Sequence, residues 1–292
     1  MQQVRVTPLE IAQLRFDLRP PYALPAGHPA AEVVALPVLA YHLALPGRSV
    51  LVDAPSYDAA STPEAYRLPE YEEPPPLLEQ LRAAGIDPHD VTDVVITHAH
   101  FDHLGALARG DGPERSPAFP RARHLLARAE WDPEAFASMA REDLLVVERA
   151  GLLTLIDAVV ERGGSVSDDT TLGDRDPGDV DLGDVDLGDV DLGDGLSLVP
   201  APGESPGHLL ARAQLGDDVV YAAGDLYHHP IEFRDSERNV VWVDRDAMRA
   251  SKAALMERAA REGARVYFSH IRGAQRVRRD GQAFRWEASR TS

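Results

Sequence analysis

The 292 residues, 44% apolar and 27% charged, are enough chain to bury a sizeable core, in proportions ordinary for a globular protein and unlike those of a wholly disordered one. Cysteine is absent, which excludes disulfides, thiolate nucleophiles and cysteine-held metals, so any metal must be bound by histidine and carboxylate. A net charge of −18 repels phosphate backbones and anionic membrane surfaces, and no run approaches the roughly 20 apolar residues of a membrane span.

The first residues carry charges and prolines where a secretory leader needs an apolar segment, so a cytoplasmic location is expected. Residues 1–32 read as an N-terminal arm, because 14–30 (LRFDLRPPYALPAGHPA) are proline-rich and irregular. Such an arm could exchange contacts with a second copy, which leaves a homodimer open. The body is then 33–292. Apolar runs from Val33 to Leu45 and from Ser49 to Asp53, separated by Pro46-Gly47, predict two paired strands. Pro74 to Pro76 followed by LLEQLRAAG predicts a short helix stopped at Gly85. VTDVVITH is too apolar for an exposed strand and is expected to be buried on both faces. Helices are expected at Arg128–Ala140 and Glu142–Ala150, while Leu152–Val160 suits strand or helix. SLVPAPG, LLARAQL and VVYAAGD then predict short strands, followed by a helix near Asp246–Glu262 ending at Gly263, and a last buried strand, VYFSH. This order predicts a layered α/β body.

An acidic low-complexity insert interrupts the body at about 168–195. From 168 to 194 there are eleven Asp and one Arg, and the pentapeptide GDVDL occurs three times in tandem between Gly178 and Leu192. The period of five and the lack of a terminal Glu fit neither calcium loop nor calcium-binding β-roll, so a like-charged, solvated loop is expected.

Directly after the buried strand VTDVVITH come His98, His100, Asp102 and His103, three imidazoles and a carboxylate within six positions. In extended chain, residues two apart share a face, so His98 and His100 can converge on one ion while the following turn offers Asp102 and His103 to a second. One segment cannot close two sites. The expected partners follow other strands: His208 on the turn Gly203-Glu204-Ser205-Pro206-Gly207, Asp225 after VVYAA, and His270 after VYFS.

These seven residues resemble, in kind and order, the HxHxDH, His, Asp, His signature of the metallo-β-lactamase superfamily, over about residues 33–287. The resemblance implies a four-layer αβ/βα sandwich and two divalent ions, zinc first with manganese, iron or cobalt also suited. It implies a first ion on His98, His100 and His208, a second on Asp102, His103 and His270, and Asp225 bridging. Catalysis would use a metal-bridging hydroxide against an ester, lactone or phosphotriester, with Asp102 and Asp225 in catalytic positions and Asp102 orienting the hydroxide. GDLYHHP and the basic strand QRVRRDGQAFRW look similar to the methyl-parathion-hydrolase-like and acyl-homoserine-lactonase-like branches. In those lactonases a Tyr stands three residues after the bridging Asp; here that position is His228, with Tyr227 before it, and both are candidates for substrate contact. Phe101 and Leu226 are candidates for an apolar pocket wall.

Two other readings stand beside this one. The superfamily includes iron-dependent oxidoreductases and persulfide dioxygenases. Gly203-Glu204-Ser205-Pro206-Gly207 also spells the G-x-S-x-G elbow of serine hydrolases, but Pro206 lacks the N–H that the elbow's oxyanion hole needs.

Overall fold

A computed structural model describes residues 5–25, 27–30, 32–57, 64–110, 112–132, 142–157, 188–235, 238–281 and 283–289. In chain order the first half forms β1 (Arg5–Asp17), β2 (Val33–Leu45), β3 (Arg48–Val52), α1 (Leu77–Ala83), β4 (Asp93–Val95), the short pair β5 (Ala108–Arg109) and β6 (Ser116–Pro117), β7 (Arg123–Ala127), α2 (Glu142–Arg149) and β8 (Leu153–Ile156). The second half forms β9 (Val190–Asp191), β10 (Leu196–Pro200), β11 (Leu209–Leu215), β12 (Asp218–Ala222), α3 (Arg245–Glu262), β13 (Arg265–Phe268), β14 (Ile271–Asp280) and β15 (Ala283–Ala288). One sheet runs β1-β2-β3-β4-β7-β8, the other β15-β14-β13-β12-β11-β10-β9.

The two sheets face each other across an apolar layer in which Leu43, Val50, Val95 and Leu125 meet Leu198, Leu209, Ala211 and Val220. The outer face of the first sheet is covered by α1 and α2 through Leu77, Leu81, Leu144 and Val147, and that of the second by α3 through Met248, Leu255 and Ala259. The result is the expected helix–sheet–sheet–helix sandwich. β2 is buried at every position from Leu36 to Leu43 and β4 at all three of its positions, so neither strand shows the alternation of a half-exposed one. Helix α3 starts where the Asp244 side chain accepts from the Asp246 and Ala247 N–H groups, and stops at Gly263, whose φ of 61° suits glycine.

Several expectations need correction. Residues 14–17 are the end of β1, not an irregular arm: β1 pairs antiparallel with β2 from Arg5 opposite Ala44 to Asp17 opposite Val33. Beyond it, Leu18, Tyr22 and Leu24 are buried against the α3 side of the second sheet, so the proline-rich stretch ties the two sheets together. Arg128–Glu130 is only a 3-10 turn, and most of the rest of the helix expected to Ala140 falls outside the described residues. Leu153–Ile156 resolves the ambiguous stretch as a strand parallel to β7. Residues 168–187 of the acidic insert lie outside the described residues, but its last repeat is not simply solvated loop. Val190–Asp191 adds the edge strand β9 to the second sheet, Asp189 is gripped by both terminal nitrogens of Arg258, and Asp194 pairs with Arg48 at 3.1 Å.

Parallel pairing sets the active edge. β3 and β4 run parallel, as do β12 and β13, so the segments following their C-terminal ends emerge at one rim of the sandwich. No helix among the described residues is long and apolar enough to cross a membrane.

His124 on β7 is fully buried, with Nδ1 donating to the Ala122 carbonyl at 3.1 Å, and burial pushes its pKa down from 6.5 to about 4. The unfolded chain therefore takes up this proton at a higher pH than the folded one. Between pH 6.5 and about 4, His124 should lower stability as pH falls, by up to about 1.4 kcal/mol per pH unit. Urea unfolding of His124→Leu across that window should show a shallower pH dependence than the unaltered chain; an equal slope in both would contradict the assignment.

Candidate metal centre

The segment Thr97–Leu104 is held from behind by Asp53, the residue that follows β3. The Asp53 carboxylate accepts the Thr97 N–H at 2.8 Å and the Thr97 hydroxyl at 2.9 Å, and takes the Nδ1–H of His103 at 2.8 Å. Asp53 has φ of 60°, a strained conformation for a residue with a side chain, and its N–H is fixed to the Val95 carbonyl at 2.8 Å. A second carboxylate, Glu130, accepts the Ala99 N–H at 3.0 Å and the Gly207 N–H at 2.7 Å, clamping this segment to the turn before β11.

Two donor groups form in front of these supports. Within each, one candidate ligand atom per residue lies within 4.8 Å of all the others: His98, His100, Glu204 and Asp225 in one, Asp102, His103, Asp225 and His270 in the other. In the first, His98 Nε2 is 2.9 Å from His100 Nδ1, His100 Nδ1 is 3.2 Å from Glu204 Oε1, and His98 Nε2 is 3.8 Å from Asp225 Oδ2. In the second, Asp225 Oδ2 is 3.2 Å from His270 Nε2 and 3.4 Å from His103 Nε2, while Asp102 Oδ2 is 3.3 Å from His270 Nε2. Asp225 is common to both.

The supports also choose which nitrogen each ring presents. His270 Nδ1 donates to the Pro37 carbonyl at 2.7 Å, and His103 Nδ1 to Asp53, so both turn Nε2 towards Asp225. Among the described residues, His103 Nε2, His208 Nδ1, Glu204 Oε2, Asp225 Oδ1 and both ring nitrogens of His228 are buried without a hydrogen-bond partner. Buried donor atoms gathered in two groups that share Asp225 are costly unless cations complete them, and a set of imidazole and carboxylate donors suits zinc, manganese, iron or cobalt. The residues therefore fit two divalent ions.

The electrostatics agree. Burial opposes charge on Asp225, yet the imidazoles of His270 and His103 outweigh it and hold the carboxyl well below its ordinary range. Burial likewise works against charge on His103 and His270, but the surrounding carboxylates push both up, His270 to about 10. His98, buried and next to His103 and His100, is held well below the ordinary imidazole value.

Six of the seven residues read from the sequence come together here: His98, His100, Asp102, His103, Asp225 and His270. His208 falls in neither donor group. Its ring lies 5.2 Å from that of His98, and its Nε2 accepts the Asp225 N–H at 3.2 Å. Gly224 makes this approach feasible, since a Cβ there would come within 2.6 Å of His208 Nε2. The residue that joins His98, His100 and Asp225 is Glu204, which sequence reading left as part of a turn.

His228 stands beside the donors, with Nε2 3.2 Å from Glu204 Oε2 and 3.7 Å from Asp225 Oδ2. Tyr227 points away: its ring is 5.1 to 5.3 Å from those of Phe233, Phe268 and Trp286, in the outer core of the second sheet. Leu226 belongs to the same core, whereas Phe101 is half exposed at the rim of the donors. Trp242, also half exposed, donates from Nε1 to Glu204 Oε1 at 2.9 Å and meets the His228 ring edge-on at 5.8 Å. The Ser205 hydroxyl is buried with no hydrogen-bond partner among the described residues, so no base activates it as the elbow reading requires.

Comparison with known proteins agrees with this geometry. A 64-residue segment is 39% identical to the N-acyl homoserine lactonase AttM of Agrobacterium fabrum, covering 20% of this chain and 21% of that protein. Over 188 residues the chain is 25% identical to a probable metallo-hydrolase of Mycobacterium tuberculosis, covering 61% of this chain and 53% of the relative. The chain thus matches only about a fifth to a half of the length of these relatives. Among solved structures, AidC, a dizinc quorum-quenching lactonase, superposes with a TM-score of 0.68 at 18% identity over 99% of this chain and 95% of that one. The hydrolase AbOPH superposes with a TM-score of 0.67 at 16% identity over 100% and 96%. At these identities the likeness is one of fold. Residues 34–270 match the metallo-β-lactamase superfamily, and the chain belongs to that family.

Proposed function

We infer that the protein is a dinuclear-metal-dependent hydrolase acting on a small molecule with an ester, lactone or phosphotriester linkage, a lactone with an apolar arm being favoured. The observation that carries this reading is the sharing of Asp225 between two buried donor groups. Two divalent ions held there would supply a water-derived hydroxide near neutral pH and polarise the electrophilic oxygen. The favoured ion is zinc, and the favoured location cytoplasmic.

The chain's own residues do the rest. Asp225 sets the spacing of the two positions, and Asp102, 14% exposed at its side chain against 4% for Asp225, faces the open side where it can orient the nucleophile. Asp53 and the Pro37 carbonyl keep His103 and His270 from turning. His228 occupies the place from which a ring N–H can donate to a developing oxyanion or leaving oxygen. Phe101, Val241 and Trp242 are each about half exposed, and Phe101 and Trp242 flank the donors; this apolar rim suits an acyl or aryl arm better than a highly charged substrate. The segment match to an N-acyl homoserine lactonase supports the lactone.

Chelation should abolish turnover of a panel of lactones, aryl esters and phosphotriesters, and re-addition of zinc, manganese or cobalt should restore it. Asp225→Asn should lose about 100-fold or more in turnover together with metal retention, whereas Ser205→Ala should keep both. Wild-type turnover in Asp225→Asn, or undiminished turnover after chelation, would exclude the metal mechanism. A single iron per chain with thiol-dependent oxygen uptake would select the dioxygenase reading.

The rim predicts selectivity as well. Phe101→Ser should lower kcat/KM for long-chain acyl lactones by about tenfold, the value of roughly 1.4 kcal/mol of lost apolar contact, while short-chain lactones change little. Equal losses for both chain lengths would remove Phe101 from the acyl site.

A further inference from the structure

We propose that Glu232, held in place by Lys252, is a positioning residue for the hydrolysis and acts through the His228 ring. The proposal rests on the dinuclear hydrolase reading above, in which His228 meets the substrate. All three side chains are buried, and Glu232 and Lys252 are each only 1% exposed.

Local structure brings the carboxylate to the ring. His229 caps a 3-10 turn over Pro230–Arg234, its Nδ1 accepting the Ile231 N–H at 3.2 Å. The Glu232 N–H donates to the His229 carbonyl at 3.0 Å, so the turn folds the Glu232 side chain back against His228. Glu232 Oε1 accepts the His228 backbone N–H at 3.0 Å and faces His228 Nδ1 at 3.6 Å, a charge-pair distance. The opposite nitrogen, Nε2, then points among the metal donors, 3.2 Å from Glu204 Oε2 and 3.7 Å from Asp225 Oδ2. A carboxylate behind one nitrogen of an imidazole places a proton there and keeps the ring from turning over, as Asp53 does for His103.

Lys252, on α3, fixes Glu232 in turn. Its Nζ donates to Glu232 Oε2 at 2.5 Å, to Asn239 Oδ1 at 2.6 Å and to the Arg238 carbonyl at 3.2 Å, and lies 4.5 Å from the centre of the Tyr227 ring. The Tyr22 hydroxyl donates to Oε1 at 2.5 Å. With both oxygens engaged, the carboxylate has one orientation. A buried pair of opposite charges adds little stability beyond that of an apolar pair of the same shape, so stability does not account for this one. Its place directly behind a ring that faces Asp225 does.

The test uses the zinc-loaded full chain and the lactone it turns over fastest. Removing one charge alone strands the other in the core, so the working variant carries Glu232→Gln together with Lys252→Met. It should retain two ions per chain and lose about tenfold or more in kcat, with KM changed by less than about twofold. His228→Ala should lose at least as much, and adding the double change to His228→Ala should cost nothing further, because both act through one ring. A pair with only a structural role would multiply its loss onto that of His228→Ala, and that result would overturn the proposal. So would an unaltered kcat in the double variant, or loss of an ion from it. In the unaltered chain, nitrogen NMR of labelled histidine should show a proton on His228 Nδ1, assigned by its absence in His228→Ala. An unprotonated Nδ1 would overturn the proposal without any Glu232 variant having to fold. An unaltered chain that binds no divalent ion, or hydrolyses no member of the panel, would instead overturn the dinuclear hydrolase reading itself.

Discussion

The carboxylate of Asp225 is buried at the rim of the sandwich where it cannot be neutralised by water, and the surrounding structure is arranged to balance it. A lone buried carboxylate is so costly that it takes up a proton or acquires a positive partner. Here the positive partners come from the segments after β4 and β13, which bring His103 and His270 within 3.4 Å of its Oδ2, with the His98 ring beside them at 3.8 Å. Parallel pairing of β3 with β4 and of β12 with β13 is what directs these segments to the same rim. The site is therefore a consequence of sheet topology first and of side-chain chemistry second.

Behind the donors lie two carboxylates that hold the donor segment in place. Asp53 accepts three hydrogen bonds from Thr97 and His103, and Glu130 accepts one from each of two loops. Acceptors of this kind fix tautomer and ring direction before any ion arrives, so little reorganisation is left for binding. The left-handed backbone at Asp53 is tolerated because its N–H and both carboxylate oxygens are engaged at once.

Much of this was legible in the sequence, for identifiable reasons. His98 to His103 declare themselves because ligands adjacent in sequence leave a local spacing, and Asp225 and His270 because each follows a buried strand closely. Glu204 left no such mark: a carboxylate on a Gly/Pro turn reads as solvated, and its partners His100 and Trp242 are far away in sequence. His208, four residues later on the same turn, brings its ring to 5.2 Å from that of His98. The same limit hid β1, whose proline-flanked end concealed its pairing with β2, and the last GDVDL repeat, where Arg258 and Arg48 supply the charge that lets an acidic stretch lie on a sheet edge.

His228 shows how the second sheet's helix reaches the site. Its backbone N–H donates to Glu232 Oε1 at 3.0 Å, an oxygen that also accepts the Tyr22 hydroxyl, while Glu232 Oε2 accepts from Lys252 on α3. Lys252 is itself almost wholly buried and spends its remaining donors on Asn239 Oδ1 at 2.6 Å and the Arg238 carbonyl at 3.2 Å. A buried ion pair contributes little net stability against an apolar pair of the same shape, but breaking one partner leaves an uncompensated charge. Such a network is worth its desolvation only if it specifies geometry. It holds the Asp225–Glu232 loop, α3 and the Tyr22 turn in one register, and so places the His228 ring against Glu204 and Asp225 instead of leaving it free at the rim.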